Sequence, residues 1–202
     1  MRELPVDAAD AQITGFERDA PIFVADHLLV RPPWVERPPD FSGIELIVPR
    51  GNAFGSGEHG STKAALRCLH RVWDSPRSFA DVGTGSGIIA LYAAVRGCPD
   101  VQACDIDAHA VAAAQQLLPD ARVFLGGAAT LAAADCVVAN MTGAEVAAEM
   151  ALMLARWTGR SALVLSGMRA NEVQKIRELV GRAPIAEERE DEFTALAFRA
   201  PA

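Results

Sequence analysis

The stretch from Ser78 to Ala90, which reads SFADVGTGSGIIA, constrains the fold of this chain more than any other. Its first apolar residues are typical of a buried strand, and the residues from Ile88 onward have the apolar spacing of a helix. Glycines occupy the positions between, at Gly83, Gly85 and Gly87. Glycine permits a tight turn and a close backbone approach to a ligand, because it has no side chain and tolerates positive φ. The stretch therefore predicts a strand, a tight turn and a helix whose free N–H groups can bind a polar or anionic ligand.

Two acidic residues accompany this turn. Asp81 lies two residues before the first glycine, and the run VQACDID predicts a second strand that ends at Asp105. Asp105 follows the glycines by roughly 20 residues, the distance at which a βαβ fold places a carboxylate on ribose hydroxyls. The spacing is G-x-G-x-G, and Ile88 stands where a dinucleotide-binding turn has its third glycine. These features in this order indicate an adenosine-type ligand; the alternative is a tight turn that binds nothing.

The net charge of -7 over 202 residues limits the kinds of partner. An acidic surface disfavours nucleic acid or an anionic membrane as the main partner and suits a small ligand or a basic protein. Residues 1–10 lack the apolar segment of a signal peptide, and no apolar run reaches membrane-spanning length. The cysteines form no C-x-x-C and the histidines are scattered, so we expect reduced thiols, no metal site and a cytoplasmic protein.

The rest of the chain alternates strands and helices, which predicts an α/β sandwich with a mainly parallel sheet. Upstream of the glycine turn, a proline-rich segment separates two short predicted strands, at 22–30 and 44–48. We interpret residues 1–49 as an N-terminal flap that packs on a main domain at 50–202.

Two further segments have predicted roles. The glycine-rich loop at 50–62 is expected to lie across a ligand and to precede a helix, with Ser61 or Thr62 as the N-cap. The chain ends in two short strand-like runs that predict an antiparallel pair, with the acidic segment 187–192 as a solvated turn.

Several segments resemble the motifs of one protein family. The order of D-V-G-T-G-S-G, C-D-I-D and A-N-M-T-G resembles the class I S-adenosylmethionine-dependent methyltransferases. The segment A-F-G-S-G-E-H-G-S-T at 53–62 is similar to A-F-G-T-G-x-H-x-T-T of the ribosomal protein L-eleven lysine methyltransferases (PrmA), and so are R-P-P-W, V-V-A-N and L-S-G-M. The resemblance runs from about Pro21 to the C-terminus. It implies a Rossmann-like class I methyltransferase sandwich, with a mainly parallel seven-stranded sheet and a C-terminal antiparallel hairpin.

The resemblance also implies a set of site residues. Asp105 would bind the ribose hydroxyls of S-adenosylmethionine, and Asn140 would lie beside its methionyl part. Asn140 and His59 are the implied catalytic residues, with a strand-end cap as the alternative for Asn140 and a loop-positioning role as the alternative for His59. The implied contacts to S-adenosylmethionine and its product S-adenosylhomocysteine are Phe54, Ser61, Asp81, Gly83, Gly85, Gly87, Asp105, Ile106 and Asn140.

The implied activity is methyl transfer to a protein, with lysine as the expected acceptor and a ribosomal protein as a candidate substrate. The cofactor carries the electrophile, so the site must align the nucleophile and needs no dedicated base. Asn140 is followed by M-T-G rather than by P-P-aromatic, which disfavours glutamine or nucleobase acceptors.

The chain departs from the family pattern in two places. Glu58 and Gly60 replace the usual threonine and proline beside His59. The separate N-terminal recognition domain of the family is expected to be missing or reduced to residues 1–49, and we therefore expect cofactor binding with weak or no methylation of protein L-eleven by this chain alone. Two alternatives stay open: a small-molecule methyltransferase, and a cofactor-binding module that regulates a partner without catalysis.

Overall fold

The computed structural model describes residues 20–49 and 57–200 as two β-sheets with helices packed around them. The strands in this part of the chain are β1 (Ile22–Ala25), β2 (Leu28–Arg31), β3 (Ile44–Ile47), β4 (Ser78–Val82), β5 (Asp100–Asp105), β6 (Arg122–Leu125), β7 (Cys136–Asn140), β8 (Leu163–Arg169), β9 (Ala186–Glu190) and β10 (Phe193–Phe198). The helices are α1 (Gly60–Val72), α2 (Ile88–Val95), α3 (Ala108–Leu117), α4 (Gly143–Arg156) and α5 (Ala170–Val180), with a 3-10 turn at Ala128–Thr130.

Seven strands form the main sheet, in the order β6-β5-β4-β7-β8-β10-β9. Among these described strands, β10 runs antiparallel to its neighbours β8 and β9, and the other pairs are parallel. This confirms the predicted mainly parallel sheet with a C-terminal antiparallel hairpin. The chain order reverses between β4 and β7, and in an open α/β sheet ligands bind at such a point, outside the carboxyl ends of the strands.

Two hydrophobic clusters cover the two faces of the main sheet. On β4, Phe79 belongs to the cluster packed by α1 and α2, whereas Ala80 and Val82 belong to the cluster packed by α4 and α5. Successive strand residues alternate between faces, so each strand contributes to both clusters. Because both faces are covered, the central strands β4, β7 and β8 are mostly apolar along their length, which is typical of buried parallel sheets.

A small sheet of β1, β2 and β3 packs on the first of these clusters through Val24, Val30 and Leu46. The prediction of one strand over 22–30 is wrong, because a turn divides the run into β1 and β2, which pair antiparallel. β2 then pairs in parallel with β3. The boundary between a flap and a main domain at residue 49 stays a prediction. The small sheet shares a hydrophobic cluster with α1 and α2.

The C-terminal hairpin has a shorter turn than the sequence predicts. Most of the acidic segment 187–192 belongs to β9, and the turn is formed by its last two residues alone. The glutamates are accommodated in this edge strand because arginines of α1 face them. Arg67 lies 2.6 Å from a carboxylate oxygen of Glu190, and Arg71 lies 2.7 Å from one of Glu188. These ion pairs connect the hairpin to α1.

The third glycine of the turn is required by the packing of α2 against α3. Gly87 is the left-handed N-cap of α2, with φ of 91°. A Cβ at this position would lie 3.1 Å from Cδ1 of Leu118 and 3.3 Å from Ala114. Gly97 has a similar φ of 78°, but a Cβ there would meet nothing within 4 Å. The two glycines therefore form a matched pair: their φ angles are similar, but an added Cβ would be crowded only at Gly87.

We expect Gly87→Ala to lower the free energy of unfolding more than Gly97→Ala does. Both variants share the cost of a left-handed alanine, roughly 1–2 kcal/mol. Gly87→Ala adds overpacking against α3, which costs about 1–3 kcal/mol more. Urea denaturation of both variants measures the difference, and equal losses in the two would contradict the crowding at Gly87.

Candidate functional site

A cavity of about 650 Å³ opens at the carboxyl ends of the central strands. Its wall is formed by the ends of β4 to β8, the first turns of α1 and α4, and the start of β10. It lies at the reversal of strand order, where α/β sheets bind ligands. The acidic residues that line it are Asp105, Glu145, Glu149 and Glu172, and Arg169 adds a positive charge.

Asp105, the last residue of β5, holds the glycine turn in place. Its Oδ2 accepts a hydrogen bond from the N–H of Gly85 at 2.9 Å, and its Oδ1 accepts one from the N–H of Asp107 at 3.0 Å. A carboxylate has acceptors at both oxygens, whereas an amide would place an NH₂ group against one of these donors. The side chain also lines the cavity, and each oxygen keeps a second lone pair for a hydroxyl donor.

The cavity wall beside Asp105 contains a glycine, which has no side chain, and an exposed apolar side chain. Gly83 lines the cavity with φ of 71°, and a Cβ there would lie 2.6 Å from Sδ of Met141. Ile106 is 82% exposed and lies on the same wall. An apolar surface with a few placed polar groups is typical of a small-molecule site.

Asn140, the last residue of β7, has a hydrogen-bond acceptor that the described fold does not use. Its Nδ2 donates to Oγ1 of Thr62 at 3.4 Å, whereas Oδ1 is buried without a partner among the described residues. Thr62 is itself fully buried at the start of α1. A buried unpaired acceptor is costly and calls for an explanation, and a ligand donor in the adjoining cavity is one. Thr62 therefore orients the amide and leaves Oδ1 available.

The first turn of α1 brings His59 and Ser61 to the cavity. The predicted N-caps, Ser61 and Thr62, are wrong: His59 is the N-cap, because its Nδ1 accepts a hydrogen bond from the N–H of Ser61 at 3.3 Å. The imidazole also packs against Phe193 of β10, with ring centroids 4.6 Å apart. Ser166 of β8 donates its hydroxyl to the carbonyl of Ser61 at 2.9 Å. This capping role favours the loop-positioning alternative for His59.

Asp81 lies beneath the glycine turn, fully buried, and is not part of the cavity wall. Its Oδ2 accepts hydrogen bonds from Oγ1 of Thr84 at 2.6 Å and from the N–H of Ala90 at 3.2 Å. Burial raises the pKa of Asp81 to about 7, although these two hydrogen bonds lower it. The side chain therefore supports the turn from below, and its expected contribution to cofactor binding would be indirect.

The structure brings together most of the residues that the sequence selects. The predicted residues that line the cavity are His59, Ser61, Gly83, Asp105, Ile106 and Asn140. Gly85 and Gly87 shape the turn without lining the cavity. Phe54 lies outside the described residues.

Several cavity residues carry no sequence motif. They are Gly126, Gly127, Glu149, Arg169 and Phe193. They lie at the ends or starts of strands that become neighbours only in the folded sheet, directly after such a strand, or on the helix after one. Strand order, had it been known, would have identified the ends of β6 and β8 as part of the site.

Other kinds of site find no support in the described ranges. Within residues 20–49 and 57–200, no group of three or more His, Cys, Asp or Glu is placed to hold a metal ion. None of the helices described here is long and apolar enough to cross a membrane. The four cysteines are all buried, and burial raises the pKa of Cys68 and Cys104 to about 12.

Solved structures share this fold. A crystal structure of ribosomal protein L11 methylase from Lactobacillus delbrueckii subsp. bulgaricus superposes with a TM-score of 0.78 and 25% identity, over 89% of this chain and 98% of that one. The tRNA methyltransferase TrmK of B. subtilis superposes with a TM-score of 0.57 and 18% identity, over 69% of this chain and 66% of that one. The strand order and the cavity at its reversal therefore define the Rossmann-like class I methyltransferase fold.

Sequence relatives identify the family within this class. The family model described as ribosomal protein L11 methyltransferase (PrmA) matches residues 9–196. The ribosomal protein L11 methyltransferase of Thiobacillus denitrificans is 34% identical over 160 residues, which are 77% of this chain and 54% of that protein. That of Syntrophotalea carbinolica is 32% identical over 191 residues, 87% of this chain and 61% of that protein. The chain belongs to the PrmA family and spans little more than half the length of these relatives.

The buried carboxyl of Asp81 should make folding stability depend on pH. The unfolded chain loses this proton near the ordinary pKa of 3.8, and the folded protein loses it near pH 7. Between these values the folded state binds more protons, so the free energy of unfolding falls as pH rises, by up to about 1.4 kcal/mol per pH unit.

Asp81→Asn removes this dependence, so the variant should gain stability relative to the wild-type protein between about pH 4 and pH 7 and no further above pH 7. Urea denaturation of both proteins across this range measures the difference. Parallel curves of stability against pH would show that Asp81 ionises normally in the folded protein.

Proposed function

We propose that this chain is an S-adenosylmethionine-dependent methyltransferase that acts on an amino group of a protein, with lysine as the expected acceptor. The observation that carries the proposal is the cavity at the strand-order reversal, with the Asp105 carboxylate on one wall and the unpaired Oδ1 of Asn140 on another. Membership of the PrmA family and the names of its curated relatives support a protein acceptor.

The cavity residues fit S-adenosylmethionine in one direction along the sheet. The ribose hydroxyls would donate to Asp105 at the end of β5. The base would then extend over the end of β6, where Gly126 and Gly127 line the wall. The methionyl part would extend the other way, across Gly83 toward Asn140, where no Cβ obstructs it. The carboxylate of Asp105 matches the hydroxyl donors of the ribose.

Each of these residues has a simple chemical task. Bound S-adenosylmethionine would supply a methyl group on a positively charged sulfur, which is already an electrophile. Oδ1 of Asn140 would accept a hydrogen bond from the incoming amine and align its lone pair. The acidic wall would attract the amine in its charged form. Burial of the amine would then lower its pKa, so that it releases its proton to solvent and attacks as the neutral nucleophile without a dedicated base.

Cofactor binding should depend on Asp105 and not on its neighbour Asp107. Asp105→Asn leaves the N–H of Gly85 or of Asp107 facing an NH₂ group and removes an acceptor for the ribose, so affinity for S-adenosylhomocysteine should fall by about 1–3 kcal/mol. Asp107→Asn is the matched control, because asparagine also caps α3. Calorimetry that finds equal affinities in both variants, with both folded, would exclude Asp105 from the site.

Transfer of labelled methyl groups separates the proposal from its alternatives. Incubation with labelled S-adenosylmethionine and a cell lysate should label a protein band, whereas ribosomal protein L11 alone should be labelled weakly or not at all. Label found only in the small-molecule fraction would support a small-molecule methyltransferase. Cofactor binding without any transfer would support a regulatory module.

The role of Asn140 can be tested in the same assay. Asn140→Ala should lower the transfer rate by about 100-fold with little change in cofactor affinity, because it removes an aligning contact. Asn171→Ala, at an exposed position of α5, is the control and should retain the wild-type rate. A wild-type rate in Asn140→Ala would leave the strand-end cap as its role.

A further inference from the structure

Glu149, on α4, lines the cavity and has one acceptor that the described residues leave unused. Its Oε2 accepts a hydrogen bond from the N–H of Ala128 at 2.9 Å. The carboxylate lies against Gly127, where an added Cβ would be 3.0 Å from Oε2 and 3.1 Å from Oε1. Among the described residues, Oε1 has no hydrogen-bond partner. The fold therefore fixes one oxygen of this carboxylate and leaves the other without a partner, in a side chain that lines the cavity.

The position of Glu149 along the sheet determines which part of a ligand it meets, on the basis of the proposed function. Asp105 pairs with Leu125 in the β5–β6 register, and the N–H of Gly126 donates to the carbonyl of Asp105 at 2.8 Å. The backbone that Glu149 contacts, at residues 127–128, therefore lies beside Asp105, on the side away from β4. A nucleoside with its ribose on Asp105 would extend its base toward this carboxylate.

The segment after β6 has no acidic side chain of its own. Residues 126–130 read GGAAT, and the hydroxyl of Thr130 already donates to the carbonyl of Gly127 at 2.8 Å. The carboxylates of Glu145 and Glu172 accept from backbone N–H groups at the starts of α4 and α5. Glu149 is therefore the carboxylate placed to meet the edge of a base over β6.

We propose that Glu149 selects adenine as the base of the cofactor. Oε1 accepts a hydrogen bond from the 6-amino group of adenine, while Oε2 stays on the N–H of Ala128. A hypoxanthine base has a carbonyl oxygen in place of that amino group, so two acceptors would face each other. The wild-type protein should therefore bind S-adenosylhomocysteine more tightly than its inosine analogue, by roughly 10- to 100-fold.

Glu149→Gln should reverse this preference. The N–H of Ala128 holds the carbonyl oxygen of the new amide, which places the NH₂ group where Oε1 was. That donor opposes the amino group of adenine and matches the carbonyl of hypoxanthine. We expect the ratio of the two dissociation constants to change by at least about 100-fold in favour of the inosine analogue, since both ligands change partner.

The experiment is calorimetry of the wild-type protein and two variants with S-adenosylhomocysteine and with its inosine analogue. Glu178→Gln makes the same change at an exposed position of α5, outside the cavity, and should retain the wild-type preference. A wild-type preference in folded Glu149→Gln would overturn the assignment. A wild-type protein that binds both ligands equally would also overturn it and leave the proposed function intact. Binding of neither ligand would overturn both.

Discussion

The carboxylate of Asp105 is the contact on which the site depends, because it joins three pieces of backbone at one point. It accepts from the N–H of Gly85 in the turn after β4 and from the N–H of Asp107 before α3. The main chain reinforces the same junction, since the N–H groups of Gly83 and Thr84 donate to the carbonyl of Cys104 at 2.9 and 3.0 Å. The turn is therefore held by β5 from the side while its glycines stay open to the cavity.

The opposite wall depends on contacts across the reversal of strand order. Thr62 orients the amide of Asn140, and Ser166 holds the carbonyl of Ser61, so the start of α1 is bound to the ends of both β7 and β8. The ion pairs between α1 and β9 add the hairpin to the same unit. A helix from the first half of the chain thus sets the shape of a wall built by strands from the second half.

Whether a feature could be predicted from the sequence depends on how far apart along the chain its interacting residues lie. The strand, glycine turn and acid are local features, so Gly83 and Asp105 could be selected from patterns of a few residues, whereas Asn140 is selected through the family resemblance of A-N-M-T-G. The N-cap at His59 escaped prediction because an imidazole with an extended backbone competes with more common caps. The acidic run in β9 is predicted as a turn from the sequence alone, because its arginine partners on α1 lie far away along the chain.

The remaining site residues depend on strand order and could not be selected in advance. Glu149 carries no motif, and only the neighbouring positions of β5 and β6 give its free oxygen a role beside Asp105. Asp81 shows the converse case: its motif position suggested a ligand contact, whereas burial under the turn gives it a supporting role.

The central claim is that the cavity at the carboxyl ends of β4 to β8 binds S-adenosylmethionine with its base over β6 and its methionyl part toward β7. A crystal structure of the protein with S-adenosylhomocysteine tests this most directly. The predicted result is electron density with the ribose hydroxyls on Asp105, the base beside Gly127 and the amino-acid end near Asn140. Density for the ligand outside this cavity, or with the base at Asn140, would contradict the claim.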